Sequence, residues 1–266
     1  MKSEKSLHAR DYITALAASG RYLFSSKEAQ AALGVSADAA KLALNRLGKR
    51  GLIAAPARGF YVIVPPEYQS LRCLPAEQFI PDLMKRLGAA YYTGLLSAAQ
   101  FHGAAHHRPQ EFQVMVAKAR RTIVCGAVRV AFFVRKNLSA IPVQSFNTPR
   151  GTILVSSPEA TAFDLVGYQG QIGGLDQVAT VLGELAEKLN PEKLADVAQS
   201  APVPWAQRLG YLLGKVDAAD RTEALRSFVS THARQTAPLL PAAPLDGAAR
   251  DDVWKLAINA DVEAEL

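Results

Sequence analysis

Residues 25–64 read SSKEAQAALGVSADAAKLALNRLGKRGLIAAPARGFYVIV, and their reading decides the fold. Ser26 is a capping residue for a helix that ends at Leu33, where Gly34 supplies the left-handed position after the last turn. Ser36 caps a second helix, with Asp38 in its first turn and Lys49 and Arg50 in its last, as the helix dipole favours. Ala40, Ala43, Leu44 and Leu47 recur at spacings of three and four and form its inner face. Ala37, Lys41, Asn45 and Arg46 form the outer one. Gly51 ends this helix, a strand starts at Leu52, Pro56-Ala57-Arg58-Gly59 turns, and Phe60–Val64 returns. Two helices followed by a β-hairpin of this size predict a winged helix-turn-helix, whose second helix enters the major groove while the hairpin lies along the backbone. Asn45 matches adenine, Arg46 guanine, and Lys41 guanine or phosphate. Arg58 stands at the wing tip. Ser36, Lys41, Asn45, Arg46 and Arg58 are therefore the candidate DNA contacts. The competing reading is a solvated helix face, or a winged helix that docks a protein.

Outward from this stretch, residues 8–19 form an amphipathic first helix with Tyr12 and Leu16 inward, Gly20 ends it, and Tyr22-Leu23-Phe24 adds a short strand beside the wing. Pro65-Pro66 cannot donate to a sheet and starts a connector. The N-terminal unit is thus 1–66, and 67–266 make a second one.

The chain has 266 residues and a net charge of +6, unevenly spread. Residues 1–66 carry ten Lys or Arg against four acids, and residues 112–158 carry seven basic groups and no acid. Residues 159–266 carry nine basic groups against sixteen acids. A protein that meets a polyanion with one part only shows this pattern. Its hydrophobic fraction of 49% excludes a disordered chain, and no apolar run approaches a membrane span. The N-terminus has no apolar signal segment, so a cytoplasmic protein is expected. Cys73 and Cys125 lie far apart in sequence and read as two unremarkable thiols in a reducing compartment, not as a disulfide framework or a zinc site.

In the second unit, Asp82–Leu87 reads as a short helix and Tyr91–Gly103 as a strongly apolar helix. His102 and His106, four apart, with His107 behind them, raise a metal site, but only Glu111 accompanies them and no metal is assigned. From Phe112 the period changes to two, giving strand-like runs FQVMVA, TIVCGAVRVAFFV, PVQSFNT and GTILVS. Lys118, Arg120, Arg121, Arg129 and Arg135 in this basic block are either a second nucleic-acid surface or edge charge that blocks sheet-to-sheet pairing, and the sequence leaves both open. Ser157-Pro158-Glu159 opens a helix to about Tyr168. Four more follow over 175–189, 191–199, 205–216 and 222–230, so 157–230 is the helical part. Residues 236–250 read as a Pro/Ala-rich loop and 253–262 as a last strand. Gly170, Gly173 and Gly174 do not form a nucleotide-binding fingerprint, and no hydrolase, zinc-peptidase or P-loop motif is present. Glu159 with Asp164, or Lys118 as a nuclease lysine, has no supporting spacing. No enzyme, catalytic residue or cofactor is expected.

The blocks YYTGLLSAAQFHGAAHHRPQEFQVMV (91–116), SPEATAFDLV (157–166), QRLGYLLGKV (207–216) and WKLAINADVEAEL (254–266) resemble those of the AbiE-type antitoxins of abortive-infection, type IV toxin–antitoxin pairs. The first block is the most specific, with its aromatic pair, Gly94-Leu95, Ser97-Ala98 and His102-Gly103 in order. The resemblance covers nearly the whole chain and implies an α+β fold: an N-terminal winged helix-turn-helix followed by a larger mixed α/β antitoxin domain. It implies an autorepressor that binds repeats in its own promoter and opposes a nucleotidyltransferase-like toxin without a stable complex. The alternative is a winged-helix interaction module, or a regulator without an antitoxin role.

Overall fold

The computed structural model describes residues 8–104 and 110–264. Among these, twelve strands form three sheets of three, six and three strands. Helix α1 (Ala9–Ala18) buries Tyr12, Ile13 and Leu16 and ends at Gly20, whose φ of +77° is the left-handed turn that glycine adopts without strain. After β1 (Leu23–Ser25), α2 (Ser26–Leu33) begins one residue earlier than its sequence suggests. The Glu28 backbone N–H donates to Ser25 Oγ at 3.1 Å and the Ser25 backbone N–H donates to Glu28 Oε2 at 2.7 Å. This reciprocal box satisfies two amide donors at once, so Ser25, not Ser26, is the cap. Helix α3 (Ala37–Lys49) starts at Ser36, whose Oγ accepts from the Ala39 N–H at 3.3 Å. Leu44 and Leu47 face inward onto Phe24, Leu33, Ile53 and Ile63, and Ala40 is buried on the same side. Strands β2 (Ile53–Ala57) and β3 (Phe60–Ile63) complete a sheet of order β1-β3-β2. This is the winged helix-turn-helix that the capping and periodicity predict.

The wing departs from the expectation in one respect. Tyr61 and Ile63 pack on the helices, but Phe60 and Val62 on the opposite face are buried against Leu74, Phe79, Leu83, Val114 and Val130 of the second unit. The wing sheet is therefore an inner layer, with only its turn and edges free. Arg150, in the turn of a distant hairpin, adds a polar clamp. Its guanidinium lies 3.5 Å from the Tyr22 ring centroid, its Nε donates to Gln78 Oε1 at 2.7 Å, and Glu67 lies 3.5 Å away. We expect Phe60→Ala to cost about 3–5 kcal/mol, the range for an emptied aromatic core site. Urea unfolding should show one transition for the wild-type chain, because the wing belongs to both cores. Two separated transitions would contradict the shared core.

In the second unit, α4 (Ile80–Arg86) leads to β4 (Tyr91–Thr93) and α5 (Leu95–Phe101). The expected helix from Tyr91 to Gly103 is thus a strand and a shorter helix. The interruption lies at Gly94, where a Cβ would sit 2.5 Å from Met115 Cγ, and at Leu95, whose φ is +55°. Helix cannot run through that point. Strand β4 pairs antiparallel with β5 (Phe112–Val116) and parallel with β9 (Gly151–Ser156). With β6 (Ile123–Cys125), β7 (Val128–Val134) and β8 (Val143–Thr148), the order is β6-β7-β5-β4-β9-β8.

Alternation along the strands sends Tyr92, Met115 and Phe133 to one face, and Val114, Val116 and Val130 to the face that meets the wing. On the first face α6 (Pro158–Gly167) lies against the sheet, and α7 (Leu175–Leu185), α8 (Pro191–Ala198) and α9 (Val203–Lys215) pack around α6, with α10 (Glu223–His232) on α8 and α9. Helix α6 is buried from Pro158 to Val166, on every side. The final strand is shorter than expected. Lys255 at φ +50° ends a turn, and only Leu256–Ile258 is strand (β12), flanked by β10 (Ala237–Pro238) and β11 (Ala249–Asp251) from the supposed loop. The Trp254 ring occupies the space beside Gly210, where a Cβ would lie 2.1 Å from it.

Candidate nucleic-acid interface

The amphipathic pattern of α3 fixes which side chains reach solvent. With Ala40, Leu44 and Leu47 turned into the core, Lys41, Asn45 and Arg46 project from the opposite side and are exposed. Ser36 is exposed at the helix start, although its Oγ is engaged in capping. Arg58 is exposed in the two-residue turn between β2 and β3. Gly59 beside it adopts φ +69° and packs so closely that a Cβ would stand 3.1 Å from Ser26 Oγ and 3.4 Å from an Arg86 nitrogen. The wing turn, the start of α2 and the end of α4 therefore meet at one place, and Lys85 and Arg86 there are exposed.

Leu42 is a residue that the sequence reading passed over. It is 58% exposed on the outer side of α3, three residues before Asn45 and four before Arg46. Its signal was an apolar residue off the Ala40/Leu44/Leu47 stripe. Such a side chain can pack against a thymine methyl beside polar base contacts.

The second set of basic residues is dispersed. Lys118, Arg120 and Arg121 occupy the connection between β5 and β6, with Lys118 and Arg121 exposed. Arg129 on β7 pairs with Glu111 at 3.0 Å. Arg135 is not a surface group at all. It is 4% exposed, and its Nε donates to Asp164 Oδ1 at 3.0 Å. A charge so deep is retained because a carboxylate and an aromatic face surround it. Its guanidinium carbon lies 4.7 Å from the Trp205 ring centroid, and the Tyr92 hydroxyl donates to Asp164 Oδ2 at 2.7 Å. Burial, first of all, pushes the Asp164 pKa up to about 6, and Arg135 and Tyr92 act in the opposite direction. Burial and the neighbouring Asp164 raise the Tyr92 pKa, so Tyr92 stays a protonated donor. The group joins β4, the end of β7, α6 and α9.

The other side chains weighed for chemistry have packing roles. Glu159 Oε1 accepts from the Asn190 backbone N–H at 3.1 Å, so it does not pair with Asp164. His102 is buried with Nε2 2.7 Å from the Ser156 carbonyl oxygen, and burial lowers its pKa, which leaves a neutral ring donating Nε2–H. His106 and His107 lie outside the described residues. Among those described, no group of three or more His, Cys, Asp or Glu is placed to hold a metal, and no helix is long and apolar enough to cross a membrane.

Residues 11–64 match the family model described as a transcriptional regulator, AbiEi antitoxin, and residues 92–215 match the AbiEi antitoxin C-terminal domain. No curated protein matches the chain. Among solved structures, a crystal structure of the RV2827C protein from Mycobacterium tuberculosis superposes with a TM-score of 0.68 at 17% identity, covering 97% of this chain and 91% of that one. This is a likeness of fold. An antigenic nucleotidyltransferase-like protein from Paracoccidioides brasiliensis gives a TM-score of 0.38 at 10% identity over 55% of this chain and 91% of its own, too low to argue from. The two family matches fall on the winged unit and on the sheet with its helical cover, and on that basis the chain belongs to the AbiEi family of antitoxins and transcriptional regulators.

Proposed function

We propose that this chain is an autorepressor that binds double-stranded DNA repeats in its own promoter, and the antitoxin of a type IV pair whose toxin is nucleotidyltransferase-like. Residues 1–66 act as the DNA-binding domain and 67–266 as the antitoxin domain. The observation that carries the DNA half is the outer face of α3, where Lys41, Asn45 and Arg46 are all exposed on a helix held rigid by its buried side. In this reading α3 enters the major groove, with Ser36 at its entry and Arg58 on the backbone. Of the second basic block, Lys118 and Arg121 are left exposed beside the half-buried Arg120, while Arg129 is exposed but paired with Glu111. The protein works by occupying DNA and by countering the toxin's effect, with no catalytic step and no stable toxin complex.

A promoter–reporter fusion with this gene supplied in trans tests the repressor half, and reporter output should fall. Asn45→Ala should cost about 1–3 kcal/mol on the operator and much less on random DNA, because a lost bidentate base contact is felt only where the base is present. Equal losses on both duplexes would remove Asn45 from base readout. For the antitoxin half, co-expression should relieve toxicity of the partner gene even when α3 no longer binds DNA. Lack of relief by the wild-type chain would refute it.

A further inference from the structure

We propose that Cys73 and Cys125 form a dithiol site that a peroxide converts into an intramolecular disulfide. They are 52 positions apart in sequence, yet they meet at the junction of the wing, the connector and the β6–β7 hairpin. The Ala127 backbone N–H donates to the Leu71 carbonyl at 2.8 Å. Cys73 lies two residues beyond Leu71 and Cys125 two before Ala127, and with turns at Arg72 (φ +52°) and Gly126 both cysteines enter one buried cluster. Gly126 makes this approach possible. Its φ is +59°, and a Cβ there would stand 2.1 Å from the Leu71 carbonyl oxygen. Both residues are buried in the apolar core that includes Phe60, Val62 and Leu74.

The two thiols are not equivalent. Each thiol lies within electrostatic reach of the other, with the Ala55 amide of β2 acting on Cys125 and the Leu74 amide on Cys73. The Cys73 thiol, first, and the Ala55 amide lower the Cys125 pKa, whereas the Cys125 thiol and burial raise that of Cys73. The reaction is written with Cys125 as the attacking thiolate and Cys73 as the resolving thiol, an order that the Cys73→Ser variant below tests. In the first step the Cys125 thiolate displaces hydroxide from the peroxide, breaking the O–O bond and forming a sulfenic acid. In the second, Cys73 sulfur attacks that sulfur, the S–S bond forms, and the sulfenic oxygen leaves as water with the Cys73 proton. Two electrons pass from the pair of thiols to the peroxide. The bond would join the connector to the β6–β7 hairpin directly beneath β2. Its formation does not depend on which partner faces α3.

The test uses the full native chain, treated with hydrogen peroxide and then with N-ethylmaleimide. The intact protein should become lighter by two hydrogens and take up no maleimide. An unreduced digest should give one linked peptide joining Cys73 to Cys125, lost with dithiothreitol. The oxidised protein should unfold roughly 5–10 °C higher than the reduced one, as a long closed loop implies. Cys73→Ser should stop at a Cys125 sulfenic acid that dimedone traps. If this variant does not fold, the wild-type mass and peptide map decide. Maleimide on both cysteines after peroxide, links between chains only, or no change in either thiol would each overturn the proposal.

Discussion

Asp164→Ala should destabilise the chain by about 3–5 kcal/mol, the cost of leaving a buried ion without its counter-charge. Arg135 would keep the Trp205 face but lose its carboxylate, and one of its terminal nitrogens already has no hydrogen-bond partner. The Tyr92 hydroxyl would lose its acceptor as well. The structure therefore makes Asp164 a keystone between sheet and helices. The pH dependence carries the opposite sign from that of a surface salt bridge. The folded-state pKa of Asp164, about 6, lies above the ordinary carboxylate value. The folded chain keeps a proton that the unfolded chain has released, so this contribution to stability is full in acid and is lost as pH rises through about 6. Urea midpoints of the wild type, taken relative to Asp164→Asn, should fall as pH climbs from 4 to 7. A midpoint difference independent of pH would place the titrating group elsewhere.

Lys41→Ala combined with Arg46→Ala should weaken binding to the operator roughly a hundredfold at low salt, a loss of one bidentate guanine contact and one ionic contact. The logarithmic salt dependence should flatten by about one to two units of slope, since each phosphate neutralised contributes about 0.9. Both residues are exposed, so the double variant should keep its unfolding midpoint within about 0.5 kcal/mol of the wild type. A weakened duplex interaction with unchanged stability assigns the loss to contact and not to folding. A double variant that binds like the wild type would remove the outer face of α3 from the interface.

The winged unit was legible because its signals are local. Ser36, Gly34 and Gly51 mark helix ends, and Leu44 and Leu47 set the inner face, within a few residues of one another. The cap shifted from Ser26 to Ser25 because two adjacent serines offer the same hydroxyl, and only the reach of Glu28 separates them. What the wing packs against was not read, although Phe60-Tyr61-Val62-Ile63 contains no polar position for a solvated face. A continuous apolar strand is buried on both sides, and this one is. Tyr91-Tyr92-Thr93 was misread as helix because short apolar runs do not declare their period.

The basic block of 112–158 misled for a different reason. Its acid-free window excluded the partners of its own arginines, since Glu111 and Asp164 lie just outside it and Glu67 far upstream. The lone Asp164 inside the apolar run TAFDLV was the available sign of a buried pair. Cys73 and Cys125 meet through tertiary packing alone, which spacing does not report.

The central claim is that α3 reads a specific sequence, and a gel-shift titration tests it most directly. The duplex is the DNA upstream of this chain's own gene, against a scrambled duplex of equal length and composition, with Lys41→Ala/Arg46→Ala run alongside. The account predicts a selective shift of the native duplex by the wild-type protein, lost in the double variant. Equal affinity for the two duplexes, or no shift of either, would contradict it and would point to a protein on the outer face of α3.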